Sequence, residues 1–190
     1  MALLLLWGTI PAAVKNLLLQ TAFMDSLSVK AKNSTPDMAV PKKIKIKRIK
    51  DYYTHFIGKT EDGRQFMALI GATLPVPLPN DWPKHKRWYA ILHTFAANGK
   101  HLETLATYTG CTAEGEDGVV DKARELRNTY LESLGKVSFK TITVELFCTK
   151  IDGFEFGLVD GSDPDEGIEK VDLLPNDLAF FAPWKGDYDT

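Results

Sequence analysis

Trp88-Tyr89-Ala90-Ile91-Leu92-His93-Thr94-Phe95 is followed, after two alanines, by Asn98-Gly99 and then by a second run from Leu102 to Tyr108. The first run is aromatic, β-branched and apolar, which is the composition of a strand. Asn-Gly accepts the positive φ angles of a tight turn whose twist matches the flanking strands. The stretch predicts a β-hairpin, and a hairpin commits its strands to an antiparallel sheet.

Towards the N-terminus the same logic repeats. Tyr53 to Thr60 reads as a strand, Glu61-Asp62-Gly63-Arg64 as its turn, and Gln65 to Thr73 as the return. Pro75, Pro77, Pro79 and Pro83 then break regular structure and predict an irregular loop. Between Lys42 and Lys50, Ile44, Ile46 and Ile49 alternate with Lys43, Lys45, Lys47 and Arg48. That period of two predicts a half-buried strand, and its lysines are the usual guard of a sheet edge.

Towards the C-terminus, Gly110 to Gly118 reads as a loop. Val119, Val120, Ala123, Leu126, Tyr130, Leu131 and Leu134 then recur at helical spacing. Asp117 is the expected N-cap and Gly135 the expected residue just past the end. Ser138 to Cys148 reads as one β-branched strand, Asp152-Gly153 as a turn, and Phe154 to Val159 as the return. After the acidic loop Asp160 to Gly167, Ile168 to Leu174 and Leu178 to Phe181 read as two short strands. The expectation is an α+β fold: a mainly antiparallel sheet of about eight or nine strands in hairpins, with one amphipathic helix on one face. A doubly wound parallel sheet would need several crossover helices.

The chain has 190 residues, 44% of them hydrophobic, which suits one domain with a sizeable core. We place that domain over residues 38–190. Residues 1–37 read as an extension, apolar from Ala2 to Leu19 and linker-like from Ser28 to Asp37. No Lys or Arg precedes the apolar run, and Gly8 and Pro11 interrupt it, against a secretory signal or a membrane span. A signal or anchor over 1–20 stays an alternative. Asn33-Ser34-Thr35 is a glycosylation acceptor that matters only in a secretory compartment. The two cysteines, Cys111 and Cys148, are no disulfide framework, and the expected setting is the reducing cytoplasm. Residues 1–100 carry 15 Lys and Arg against 6 Asp and Glu, residues 101–190 carry 8 against 19, and the net charge is −2. Such a split marks either a basic face for an acidic partner or two halves that neutralise each other on folding.

The motifs of chemistry are sparse. Neither G-x-x-x-x-G-K-[ST] nor G-x-G-x-x-G occurs, and no cofactor is implied. His93 and His101 flank the Asn98-Gly99 turn and are weak metal candidates. The acidic loop does not fit EF-hand spacing. Cys111 with His93 or His101 is a nucleophile and base on paper, without a supporting local signature, so no catalytic residue is assigned. Lys43, Lys45, Lys47 and Arg48, with Tyr52, Tyr53 and Phe56 close behind, could contact phosphates and stack bases. Trp88, Trp184 and Tyr188 are candidate anchors for a protein partner.

Several segments together carry a resemblance. They are Tyr53 to Thr60 with Gly63 to Phe66, Lys86 to His93, Asp152 to Asp160, and the ending Ala182-Pro183-Trp184-Lys185-Gly186-Asp187-Tyr188-Asp189-Thr190. Over about residues 38–190 the chain resembles small bacterial proteins labelled formate hydrogenlyase regulatory proteins. The resemblance implies a non-enzymatic regulator linked to formate metabolism and brings no functional residues with it. The expected function is therefore a regulatory or protein-binding module. Its alternatives are an immunity-type protein neutralising a partner toxin and a nucleic-acid-binding module using the basic strand 42–50.

Overall fold

Asn98-Gly99 does make the hairpin turn. Gly99 has φ +89°, its N–H donates to Ala96 O at 2.9 Å, and Ala96 N–H donates to Lys100 O at 2.8 Å. A Cβ at Gly99 would stand 2.5 Å from Thr143 O, so both the backbone angle and the close approach require glycine. The computed structural model describes residues 40–190, within a unit spanning Ala39–Thr190. The readings over residues 1–37 lie outside the described residues.

The strands are β1 (Lys43–Ile46), β2 (Ile57–Thr60), β3 (Gln65–Thr73), β4 (Arg87–Phe95) and β5 (His101–Cys111). Then come helix α1 (Glu116–Ser133), β6 (Val137–Phe139), β7 (Ile142–Glu145) and β8 (Phe147–Ile151). The last are β9 (Phe154–Asp160), β10 (Lys170–Leu174), β11 (Leu178–Phe181) and β12 (Tyr188–Asp189). Two five-stranded sheets, β5-β4-β3-β2-β6 and β12-β11-β10-β9-β8, are accompanied by the ribbon β1-β7. Every pairing between these strands is antiparallel, so the fold is α+β as expected.

The single sheet of eight or nine strands is corrected to twelve strands in three sheets. The difference arises mainly in Ser138–Cys148. That run divides into β6, β7 and β8, and each piece joins a different sheet. Alternation records which side chains are buried and is silent about which neighbour a strand pairs with. Tyr53–Phe56 is also a 3-10 turn rather than strand. Thr54 explains it: its buried hydroxyl donates to Lys47 O at 2.8 Å and accepts from Ile49 N–H at 3.2 Å, tying the turn to the chain leaving β1.

Side chains sort the molecule into three layers. Met67, Leu69, Tyr89, Ile91 and Phe95 of the first sheet meet Phe156, Leu158, Val171, Leu173 and Phe180 of the second in one core. Ile44, Ile46, Ile142 and Val144 of the ribbon complete it. The opposite face of the first sheet presents Phe66, Ala68 and Leu92 to Tyr130, Leu131 and Leu134. β3 is thus covered on both faces, which is why Gln65–Thr73 reads as an almost unbroken apolar run.

The helix begins at Gly115 rather than at an Asp117 cap. Glu116 and Asp117 fall in its first turn, where carboxylates complement the unpaired N–H groups. Leu134 closes it and Gly135 follows at φ +71°, as expected.

Candidate interaction surface

β3 and β4 end, at Thr73 and Arg87, on the side of the sandwich away from the Asn98-Gly99 turn. There the two sheets part over a cleft of about 460 Å³. Ala72, Thr73, Leu74 and Val76 line it from β3 and the loop beyond. Gly153 and Phe154 line it from the β8–β9 turn, and Leu174, Pro175 and Asp177 from the β10–β11 turn. Its size falls within the roughly 300–1,000 Å³ of ordinary ligand clefts.

The loop above this cleft reads Leu74-Pro75-Val76-Pro77-Leu78-Pro79. Alternating prolines remove backbone donors and fix φ, so the segment cannot join the sheet. Its apolar side chains are left in solvent, Val76 at 96% and Leu78 at 60% exposure. Arg87, in register with Thr73, lies 5.7 Å from the Tyr108 ring centre and 5.9 Å from that of Phe154. It makes no ion pair among the described residues. Beneath it Tyr89 Oη donates to Asp152 Oδ2 at 3.2 Å, and burial, ahead of that carboxylate, raises the phenol above its ordinary range. Thr73 is only 4% exposed, and its hydroxyl has no hydrogen-bond partner among the described residues.

Apolar loop, stacked guanidinium and aromatic rings form the kind of surface that anchors protein contacts. Tyr108, Phe154, Val76 and Leu78 are absent from the sequence-derived candidates. One signal was present: the residues between the prolines are all apolar, whereas an ordinary surface loop is polar.

The sequence-derived residues fall elsewhere. Lys43, Lys45 and Lys47 project from β1 while Ile44 and Ile46 are buried. β1 pairs with β7 on one side only, as an edge strand does, and just past its end Lys47 N–H donates to Gly186 O at 2.9 Å. Lys43 pairs with Glu145 at 3.3 Å and Lys47 with Asp187 at 2.8 Å. With Lys86–Glu116 at 3.4 Å, these pairs join first-half cations to second-half anions. Arg48 is structural, its Nε donating to His55 O at 3.0 Å. Trp88 donates from Nε1 to Thr112 Oγ1 at 3.0 Å, with Lys86 Nζ 4.7 Å from its ring centre. Trp184 and Tyr188 pack against the inter-sheet core, and the Tyr188 hydroxyl is buried without a partner among the described residues.

His93 and His101 do share a face of the hairpin. His93 Nδ1 and His101 Nε2 both lie 2.9 Å from the Thr104 hydroxyl. That hydroxyl can donate to one ring only, so the other ring donates to it. Burial, and secondarily His101, push the His93 pKa down to about 3, leaving the imidazole neutral. No third His, Cys, Asp or Glu completes a metal group among the described residues. Cys111 sits at the far end of β5 from His101, its N–H donating to Glu114 Oε1, so the paper pairing of nucleophile and base does not form. In the acidic loop, Asp163 Oδ1 accepts from Asp165 and Glu166 N–H at 3.0 and 3.2 Å, so that carboxylate holds the turn.

No helix of the described residues is long and apolar enough to cross a membrane. No family model matches the chain, and comparison with curated proteins and with solved structures gives no match.

Proposed function

We propose that this chain is a non-catalytic protein-binding module whose partner docks on the open end of the sandwich. The observation that carries this reading is the loop Leu74–Pro79, which holds Val76 and Leu78 in water, with Val76 lining the same cleft as Phe154, one of the two rings near Arg87. An exposed apolar group next to a desolvation-tolerant guanidinium fits a partner offering an apolar segment with a carboxylate beside it. A regulatory role in formate metabolism rests on the resemblance of the quoted segments, and a cytoplasmic setting on the free thiols of Cys111 and Cys148.

Affinity capture from the native host tests the reading. Wild-type protein should enrich a partner that Val76→Asp/Leu78→Asp and Arg87→Glu each lose while melting normally. A partner bound equally by all three proteins, or none above background, overturns it.

A second reading has its own observation. Tyr52 and Tyr53 stand exposed beside Lys50, a stacking pair next to a cation. Single-stranded nucleic acid retained by the wild type at low salt, and lost by Tyr52→Ala/Tyr53→Ala, would favour it over protein docking.

A further inference from the structure

The sheet edges of this molecule are not managed alike. β6 ends its sheet with three residues, and β12 ends the other with two. β8, the remaining edge of the second sheet, has five residues and carries Lys150. β5 has eleven residues and closes the first sheet, with no strand paired beyond it among the described residues. Its sequence, His101-Leu102-Glu103-Thr104-Leu105-Ala106-Thr107-Tyr108-Thr109-Gly110-Cys111, contains no Lys, Arg or Pro and one carboxylate. Natural edges are normally shortened, charged or broken by proline, because their outward N–H and C=O groups template another strand. Leu102, Leu105 and Tyr108 are all exposed on this one strand. The register against β4 slips only at its ends, between Trp88 and Tyr89 and between Thr94 and Phe95. Glu103 to Tyr108 therefore runs as a regular edge, and its outward backbone groups have no partner among the described residues.

We infer that β5 pairs antiparallel with β5 of a second copy about a twofold axis at Leu105. The self-pairing is specified by the residues themselves. With Leu105 on the axis, the two Leu105 side chains meet each other, Thr104 meets Ala106, and Glu103 meets Thr107, while exposed Leu102, the extra residue of the bulge at Thr94/Phe95, lies just beyond the regular run. No carboxylate faces its own copy, and exposed Leu105 is covered by its own copy. A twofold interface must be self-complementary in this way. An axis at Glu103 would oppose like charges, which cross-strand pairing penalises. An ionic partner strand, by contrast, would find only Glu103 to pair with. The two surfaces share Tyr108, which carries Arg87 near one end of β5, but the axis residue Leu105 belongs to this one and Val76 and Leu78 only to the proline-loop surface, so variants at those positions test the two separately.

Engineered cysteines read the register. In a Cys111→Ser/Cys148→Ser background, Leu105→Cys places two thiols on the axis, where paired strands hold Cα atoms roughly 4.5–5.5 Å apart. That is within disulfide reach. Mild oxidation should convert this variant to a covalent dimer. Glu103→Cys alone should not cross-link, because its two copies stand four residues, roughly 13 Å, apart along the ladder. A mixture of Glu103→Cys with Thr107→Cys should give the mixed dimer. Light scattering on the unmodified chain should show the mass rising from 21.2 kDa towards twice that value with concentration. Leu105→Lys should hold it at one chain. A mass of one chain throughout, no Leu105→Cys dimer, or cross-linking of Glu103→Cys to itself overturns the proposal. Capture of a different protein's strand on this edge, competing with no self-association, overturns it in favour of that occupant.

Discussion

β3 buries a polar residue at each of its ends, and the two are treated oppositely. Gln65, 3% exposed, donates to Thr143 O at 3.0 Å and to Ala97 O at 3.4 Å and accepts from Thr143 N–H at 3.1 Å. Thr73, 4% exposed, has a hydroxyl with no partner among the described residues. Around Gln65 the backbone is tied down: Glu145 N–H donates to Gly99 O at 2.8 Å, and His93 Nδ1 and His101 share the Thr104 hydroxyl, although buried His93 Nε2 has no partner among the described residues. Around Thr73 the sheets separate into the cleft and the next residues are apolar and exposed. Buried polar groups in native proteins are almost always satisfied. What separates the ends is the three-bond network through Gln65 against the cleft and exposed apolar loop beyond Thr73; we read the first as the part the fold depends on and the second as the part left for an occupant.

Acid offers the largest test of this contrast. His93 is held neutral in the folded state, with its pKa at about 3, but titrates near 6.5 once unfolded. Between those values the unfolded chain binds the extra proton, so stability is complete above pH 6.5 and falls as pH drops through that window. The slope for one proton is about 1.4 kcal/mol per pH unit. Denaturant melts at stepped pH should show it for the wild type, with a shallower slope for His93→Gln. Equal slopes would mean that the closed end is not proton-tight.

Gln65→Ala comes next. It strands the Thr143 N–H and two carbonyls and opens space in a packed layer, so a loss of about 3 kcal/mol is expected. Urea melts that place the variant within 0.5 kcal/mol of wild type would remove the distinction between the two ends. Thr73→Val is the matched change at the open end and the smallest effect. Replacing an orphan hydroxyl by a methyl of the same shape should leave stability unchanged or raise it by about 1 kcal/mol. A clear loss in the same melts would show that the hydroxyl is bonded in solution.

Much of the closed end was legible in the residues. Asn98-Gly99 and Asp152-Gly153 name their turns by chemistry, and Asp152 and Gly153 do take φ +52° and +86°. The helix and the buried Ile44 and Ile46 follow from periodicity. The division of Ser138–Cys148 was not legible, because a strand's partners lie far away in sequence. The histidine pair was half legible. The hairpin brings His93 and His101 to one face, but its register sets Thr104 opposite His93 and His101 opposite Phe95. The open end was hidden for the same reason. Arg87 meets Tyr108 only through the β4–β5 register, and meets Phe154 only because the second sheet stacks on the first. Trp184 and Tyr188 looked like anchors from residue type alone, and their position against the core depends on where the C-terminal strand docks.

Hydrogen exchange on the wild-type chain, with and without its captured partner, reads the two ends separately. The account expects slowed exchange at Leu74, Val76 and Leu78 and in the Gly153–Glu155 and Leu174–Asp177 turns, with no change over Ala96–His101. Protection confined to the Asn98-Gly99 end, or to β5 alone, would contradict it.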